Sequence, residues 1–234
     1  MKKVALITGA SSDIGLSISH KLLKKNFFVC YNVRTKNSKK KLEKYLLKND
    51  VCVSKYKIFV GDISNKRFTA RIINNISKKY SPISVIILNA AKTDTPKTKL
   101  NILNFHKIFQ INFFSNAYLI SYYFNNHTKV NKLIINISSD VTEKGSYNFP
   151  AYAASKSSMN NLILSFAKIF DKYKIFNLIL GPTNTSKFHY NHKYSVQKKS
   201  HKLLEVSDVS TKVLYLINNV NNFKSGKYFK LKKK

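Results

Sequence analysis

The sequence predicts an α/β protein built on a doubly wound parallel sheet of seven strands with helices on both faces. Three observations carry that expectation. Short apolar runs alternate with stretches of helical spacing from one end of the chain to the other. Runs such as Val4-Ala5-Leu6-Ile7 and Val85-Ile86-Ile87-Leu88 are continuously hydrophobic, as strands covered on both faces must be. The first run opens directly into a glycine-bearing turn and then a helix. Strands alternating with helices imply parallel pairing through right-handed crossovers. The 234 residues suffice for one domain spanning 1–234, and no linker or repeat interrupts them.

After the first strand comes Thr8-Gly9-Ala10-Ser11-Ser12-Asp13-Ile14-Gly15, then Leu16, Ile18, Leu22 and Leu23 at helical spacing. Strand, glycine turn and helix N-terminus together form a pyrophosphate cradle, because backbone N–H groups and the positive end of the helix dipole meet the anion. Phe27-Phe28-Val29-Cys30-Tyr31 reads as the second strand, ending at Asn32-Val33-Arg34-Thr35. In a dinucleotide fold this strand end faces the adenosine ribose, where an acid would accept from the 2′-hydroxyl of NAD. No acid is present. Arg34, with Lys36 and Lys40 nearby, suits a 2′-phosphate and favours NADP(H) over NAD(H); the competing reading is a solvated basic loop.

A polar helix over 38–48 leads to a third strand ending Ile58-Phe59-Val60, followed by Gly61-Asp62-Ile63-Ser64. Asp62 either accepts from an adenine amino group or caps the next helix, marked by Phe68, Ile72, Ile73 and Ile76. The fourth strand, 85–88, runs into Asn89-Ala90-Ala91, small residues that let a cofactor lie against the backbone or simply pack tightly. A long helix over 101–125 holds Asn112 at its midpoint. Asn is slightly unfavourable inside a helix, and spacing suggests that it is exposed.

Leu133-Ile134-Ile135-Asn136-Ile137 is the fifth strand and delivers Ser138-Ser139 at its carboxyl end, where open α/β sheets bind ligands. A helix over 151–173 carries Tyr152 and Lys156, one turn apart on one face. An ammonium beside a phenol lowers the phenol's pKa, making Tyr152 a candidate general acid or base. The sixth strand, 175–180, ends in Gly181-Pro182-Thr183-Asn184-Thr185. Residues 183–205 then read as a substrate lid without clear period. His189 and His192 lie in it three residues apart, but no Cys or carboxylate accompanies them, so no metal is expected. A helix over 206–220 and an edge strand over 227–231 complete the chain.

Composition narrows the partners. The net charge is +32, from 42 Lys and Arg against 10 Asp and Glu. It accompanies 14 Tyr, 16 Phe, 6 Gly and no Trp, the profile of an adenine- and thymine-rich coding sequence, so solvated lysines explain most of it. The scarcity of acids leaves a preference for acidic partners open. No basic stripe with stacking aromatics stands out, and no specific nucleic-acid partner is expected. No segment approaches the roughly 20 apolar residues of a membrane span. Cys30 and Cys52, both in runs that read as strands, suit small core positions in a reducing, cytoplasmic setting.

Together these residues resemble the short-chain dehydrogenases/reductases over nearly the whole chain. The marks are Thr8-Gly9 through Ile14-Gly15, Gly61-Asp62-Ile63, Asn89-Ala90-Ala91, Asn112, Ile137-Ser138-Ser139, Tyr152 with Lys156, and Gly181-Pro182 through Thr185. The resemblance implies a Rossmann-fold domain with a catalytic tetrad. Tyr152 would protonate a carbonyl oxygen, Ser139 would hold that oxygen, and Lys156 would depress the tyrosine pKa and bind the nicotinamide ribose. Asn112 would anchor a water passing protons to Lys156. It also implies that Gly9, Ser11, Ile14, Arg34, Asp62, Ile63, Asn89, Tyr152, Lys156 and Thr185 line an NADP(H) site.

Within the family the chain is most similar to 3-oxoacyl-[acyl-carrier-protein] reductases, which implies fatty acid biosynthesis, an acyl-thioester substrate on an acidic carrier protein, and a homo-oligomer, dimer or tetramer. A sugar or other small ketone is the rival substrate class. The rival of another class is a non-catalytic NADP(H)-binding regulator or nucleic-acid-binding protein. Four departures stand out: Asp13 replaces the middle glycine, Leu88 and Ala91 flank Asn89-Ala90 where the family has Asn and Gly, Pro182 is shifted by one, and the closing glycine pair is absent.

Overall fold

The computed structural model describes residues 3–94, 102–127, 132–193 and 202–233. Its strands are β1 (Val4–Ile7), β2 (Phe28–Val33), β3 (Tyr56–Val60), β4 (Ile83–Leu88), β5 (Leu133–Ser139), β6 (Lys174–Leu180) and β7 (Tyr228–Leu231). Its α-helices are α1 (Asp13–Lys24), α2 (Lys36–Lys48), α3 (Lys66–Lys79), α4 (Ile102–Phe109), α5 (Ser115–Asn126), α6 (Val141–Lys144), α7 (Pro150–Ile169), α8 (Ser186–Lys193) and α9 (Val206–Asn218). The strands form one sheet in the order β3-β2-β1-β4-β5-β6-β7, and every pairing is parallel. This is the seven-stranded Rossmann architecture expected from the alternating pattern.

Period-two geometry explains the continuous apolar runs. Along β1, Ala5 and Ile7 pack into the layer containing Leu16, Leu42 and Val213 of α1, α2 and α9. Val4 and Leu6 pack into the opposite layer with Ile72, Leu119 and Ile163 of α3, α5 and α7. Both faces are dry, so each position needs an apolar side chain, and burying one contributes about 1.5–3 kcal/mol. At the edge the requirement lapses: in β7 Tyr228 and Lys230 are exposed while Phe229 is buried. Because β1 pairs with both β2 and β4, the winding reverses there and leaves a crevice beyond their carboxyl ends.

The structure corrects several local expectations. Cys30 is buried in β2, but Cys52 lies before a 3₁₀ turn (Val53–Lys55), outside any strand, and is exposed. The expected helix over 101–125 is broken by a π-helical turn, Gln110–Phe114, between α4 and α5. Side chains that bond back to carbonyls one turn earlier, Ser115 Oγ to Ile111 O at 2.6 Å and Asn116 Nδ2 to Asn112 O at 2.9 Å, accompany this break in the regular ladder. Part of the aperiodic 183–205 segment is helical: Thr185 Oγ1 accepts from Phe188 N, and the distant Asp13 carboxylate accepts from Ser186 N, so two side chains start α8. Residues 194–201 of that segment and residue 101 fall outside the described residues. No helix among the described residues is long and apolar enough to cross a membrane.

Candidate active site

The crevice opens into a cavity of about 690 Å³. Its floor is the glycine turn. Gly9 adopts φ +61°, and a Cβ there would lie 2.7 Å from Ala90 Cα, so only glycine brings β1 and the β4 end this close. A Cβ on Gly15 would meet Ala10 Cα at 2.9 Å, which presses the first turn of α1 onto the loop. Ser12 caps α1 by accepting from Gly15 N at 3.1 Å. Asn89 braces the turn from β4: its Nδ2 donates to Thr8 O, Gly9 O and Ser12 Oγ at 2.9–3.1 Å. Thr8 returns the brace, its buried Oγ1 accepting from Asn89 N and Ala90 N. The sequence marks Thr8 as part of the turn but not as its brace, since its partners Asn89 and Ala90 lie 81 and 82 residues away.

Opposite the turn, β5 brings Ser139 and α7 brings Tyr152 and Lys156 to the cavity wall. The Ser139 hydroxyl and the Tyr152 phenol share this wall. Lys156 is buried, and its Nζ donates to Ile137 O at 2.7 Å and sits 5.8 Å from the Tyr152 ring centre. The pKa directions here differ from the sequence expectation. Burial pushes the Tyr152 phenol up to about 12, with the neighbouring Ser139 hydroxyl pulling down and the Asp140 charge pushing up. Burial, helped by the Lys187 charge, brings Lys156 down to about 7. In this geometry Lys156 donates to a carbonyl, and desolvation sets the direction of both shifts.

Asn112 is fully buried, in contrast to the exposed position that spacing suggested. Its Oδ1 accepts from Lys92 N at 2.8 Å, and its Nδ2 donates to Lys92 O at 2.8 Å and to Ser155 Oγ at 2.9 Å. It thereby joins the π turn to the β4 loop and to the residue preceding Lys156. Asp94 is a further anchor. Its carboxylate accepts from Tyr152 N at 2.9 Å, satisfying an N-terminal amide of α7 that Phe149, at the cap position, cannot. Burial raises the Asp94 pKa against the pull of these backbone donors.

Of the residues singled out as cofactor ligands, Gly9, Ile14, Asn89, Tyr152, Lys156 and Thr185 line the cavity. Ser11 is half-buried in the turn, and Arg34 is exposed at the end of β2. Asp62 and buried Ile63 sit beyond β3 at the same edge of the sheet. Asp62 does not cap α3. Its Oδ1 accepts from Ser64 N and Oγ, while Asn65 caps the helix through Phe68 N. Asp13 turns away from the turn: Oδ2 accepts from Ser186 N at 2.7 Å and Oδ1 lies 3.5 Å from Lys41 Nζ. His189 shares a 2.7 Å hydrogen bond with Asn184, and the His192 side chain falls outside the described residues.

A family model described as short chain dehydrogenase matches residues 3–194. An uncharacterized oxidoreductase of Saccharomyces cerevisiae is 28% identical over 172 residues, covering 71% of this chain and 65% of the relative. A 3-oxoacyl-[acyl-carrier-protein] reductase of Rickettsia prowazekii is 30% identical over 173 residues, 70% of this chain and 65% of the relative. The chain thus spans just under two thirds of the length of these relatives. Among solved structures, ElxO with NADP bound superposes with a TM-score of 0.85 at 25% identity, covering 98% of this chain and 97% of that one. An actinorhodin polyketide ketoreductase shares the fold at a TM-score of 0.88 and 18% identity, covering 98% and 95% of the two chains.

Proposed function

The chain belongs to the short-chain dehydrogenase family, and we propose that it is an NADPH-dependent reductase that converts a carbonyl to an alcohol as one catalytic domain. The observation that carries the reading is the convergence of Ser139, Tyr152 and buried Lys156 on the wall of one cavity whose floor is a glycine turn. The residues present fit a nicotinamide dinucleotide. Gly9 and Gly15 let the turn close against Ala90 and Ala10, where any Cβ would collide, and the N-terminus of α1 points its dipole at the turn. When bound, the nicotinamide would supply the hydride.

The chain's own residues supply the proton and the alignment. A phenol with its pKa near 12 is fully protonated at neutral pH, so Tyr152 is ready to donate to a carbonyl oxygen that Ser139 would hold. Lys156 would exchange Ile137 O for a ribose hydroxyl and, charged there, stabilise the developing phenolate. Asn112 would hold the π turn against Ser155 and anchor a water that returns protons to Lys156. Arg34, with no acid at the β2 end, would take a 2′-phosphate, and the NADP-bound ElxO neighbour supports the same preference.

The substrate class we favour is a 3-oxoacyl thioester on an acidic carrier protein, supported by the Rickettsia relative and the +32 charge. A homo-oligomer, residues 183–205 as a lid, and a cytoplasmic setting for free Cys30 and Cys52 belong to the same reading. NADPH oxidation measured against acetoacetyl thioesters, free ketones and keto sugars tests it. Tyr152→Phe is expected to lower turnover by about 10²–10⁴-fold while NADPH still binds. Unchanged turnover overturns the role of Tyr152, and activity confined to keto sugars overturns the thioester.

A further inference from the structure

One cation in the cavity has no place in the tetrad. Lys187, the second residue of α8, sends its ammonium across the crevice to Ala91 O at 3.1 Å. Among the described residues no carboxylate lies within ion-pair distance of it. Helix α8 is fastened over the crevice at two further points: Ser186 N donates to Asp13, and Asn191 Nδ2 approaches Thr93 Oγ1 at 3.4 Å. The ammonium therefore hangs between the β1–α1 turn and the end of β4, directly over the point where the winding reverses. The charges of Arg34 and of Lys156 both act across the space around it. Arg34 marks the adenosine end of the proposed cofactor and Lys156 the nicotinamide ribose, and Lys187 is near enough to feel the one and act on the other.

We propose that Lys187 is a lid-borne ligand for the pyrophosphate of the dinucleotide, exchanging the Ala91 carbonyl for a phosphate oxygen when the cofactor enters. The inference rests on the dinucleotide reading above and assigns a residue that the glycine turn does not include. A neutral carbonyl satisfies one of three ammonium donors and none of the charge, whereas a phosphate satisfies both, and charge-assisted bonds are the stronger ones. The Lys187 side chain is exposed at the mouth of the crevice, yet desolvation there, with the Arg34 charge, lowers its pKa to about 8, as expected of an ammonium without an anion beside it. Asp13, the carboxylate beside the cradle, is engaged by Ser186 and Lys41, which lessens its repulsion of an entering phosphate. Because α8 carries Lys187, the same contact would hold the lid down on bound cofactor.

The test is equilibrium binding to the full chain, followed by calorimetry or by NADPH fluorescence, with wild type, Lys187→Gln and Lys187→Arg. Lys187→Gln is expected to weaken NADPH, NADH and ADP alike by about tenfold, with Lys187→Arg keeping most of the affinity. Binding of 2′-AMP, which lacks a pyrophosphate, is expected to be unchanged. Equal NADPH affinity in wild type and Lys187→Gln overturns the assignment and leaves the reductase reading standing. A loss confined to NADPH and 2′-AMP also overturns it, by moving Lys187 to the 2′-phosphate. A wild-type chain that binds neither NADPH nor NADH overturns both readings.

Discussion

Asp13 puts a carboxylate into a turn shaped for phosphate, and its partners explain how the two coexist. Burial alone would raise its pKa, but the Ser186 amide and hydroxyl and the Lys41 ammonium outweigh that and hold the group below the usual carboxylate value. Its stabilising contribution is therefore present above the unfolded-state pKa and lost as pH falls through the folded one. Nothing in the sequence pairs Asp13 with Ser186, 173 positions later. Tyr152 and Asp94 are 58 apart and equally unreadable. Ser139, Tyr152 and Lys156 reach one cavity wall because one strand end and one helix turn bring them there, and in the sequence it is the family resemblance that marks them. At the other end of the proposed cofactor site, Arg34 is exposed and has no acid beside it at the β2 end. Arg34→Ala should therefore weaken NADPH binding about tenfold and leave NADH nearly untouched, as one charge-assisted phosphate contact would. Equal losses for both nucleotides would count against a 2′-phosphate role.

Between residue and fold, the π turn shows what periodicity misses. A helix that gains one residue keeps an apolar face on either side of the insertion, so the stretch reads as one helix with an exposed Asn112 near its middle. The added residue instead rotates Asn112 inward, where its amide closes two hydrogen bonds with the Lys92 backbone and one with Ser155. Asn112→Leu would strand a backbone donor and acceptor in a buried site at about 1–3 kcal/mol each, of which partial access to water spares some. We expect a loss of about 2–4 kcal/mol in urea unfolding, with an unchanged m-value. A loss under about 0.5 kcal/mol would mean that Lys92 finds other partners. Helix α8 was missed for a related reason: one of its two starting contacts comes from Asp13, and short helices owe more to such contacts than to propensity. The strands were read most accurately, since two-sided burial leaves a continuous apolar run that needs no distant partner to be recognised.

The whole molecule carries +32 charges and, among the described residues, ion pairs at only three carboxylates besides the Asp13–Lys41 pair. Self-repulsion of this size destabilises the compact state, and salt screens it over a Debye length of about 10 Å at 0.1 M. Melting temperature at neutral pH should thus rise with sodium chloride from about 20 to about 300 mM. A second contribution is local. Lys156 and Lys132 are buried, with pKa values brought down by desolvation to about 7 and about 8 from the ordinary 10.5. Between the folded and unfolded values the unfolded chain holds more protons, so stability increases with pH, by up to about 1.4 kcal/mol per pH unit for each excess proton. The ligand-free protein should therefore become more stable from about pH 7 to about pH 9, ahead of the loss through Tyr152, which runs from the ordinary phenol value of 10.0 up to about 12. The two contributions separate by mutation. Lys156→Met should reduce the pH slope to the part Lys132 supplies and preserve the salt slope, because it removes one titrating group but barely changes a charge of this size. If both slopes fall together, the pH dependence comes from overall charge and not from the buried lysine. If the wild-type melting temperature is flat in pH while rising with salt, Lys156 keeps its proton in the fold, and its ammonium is already charged when a cofactor ribose arrives.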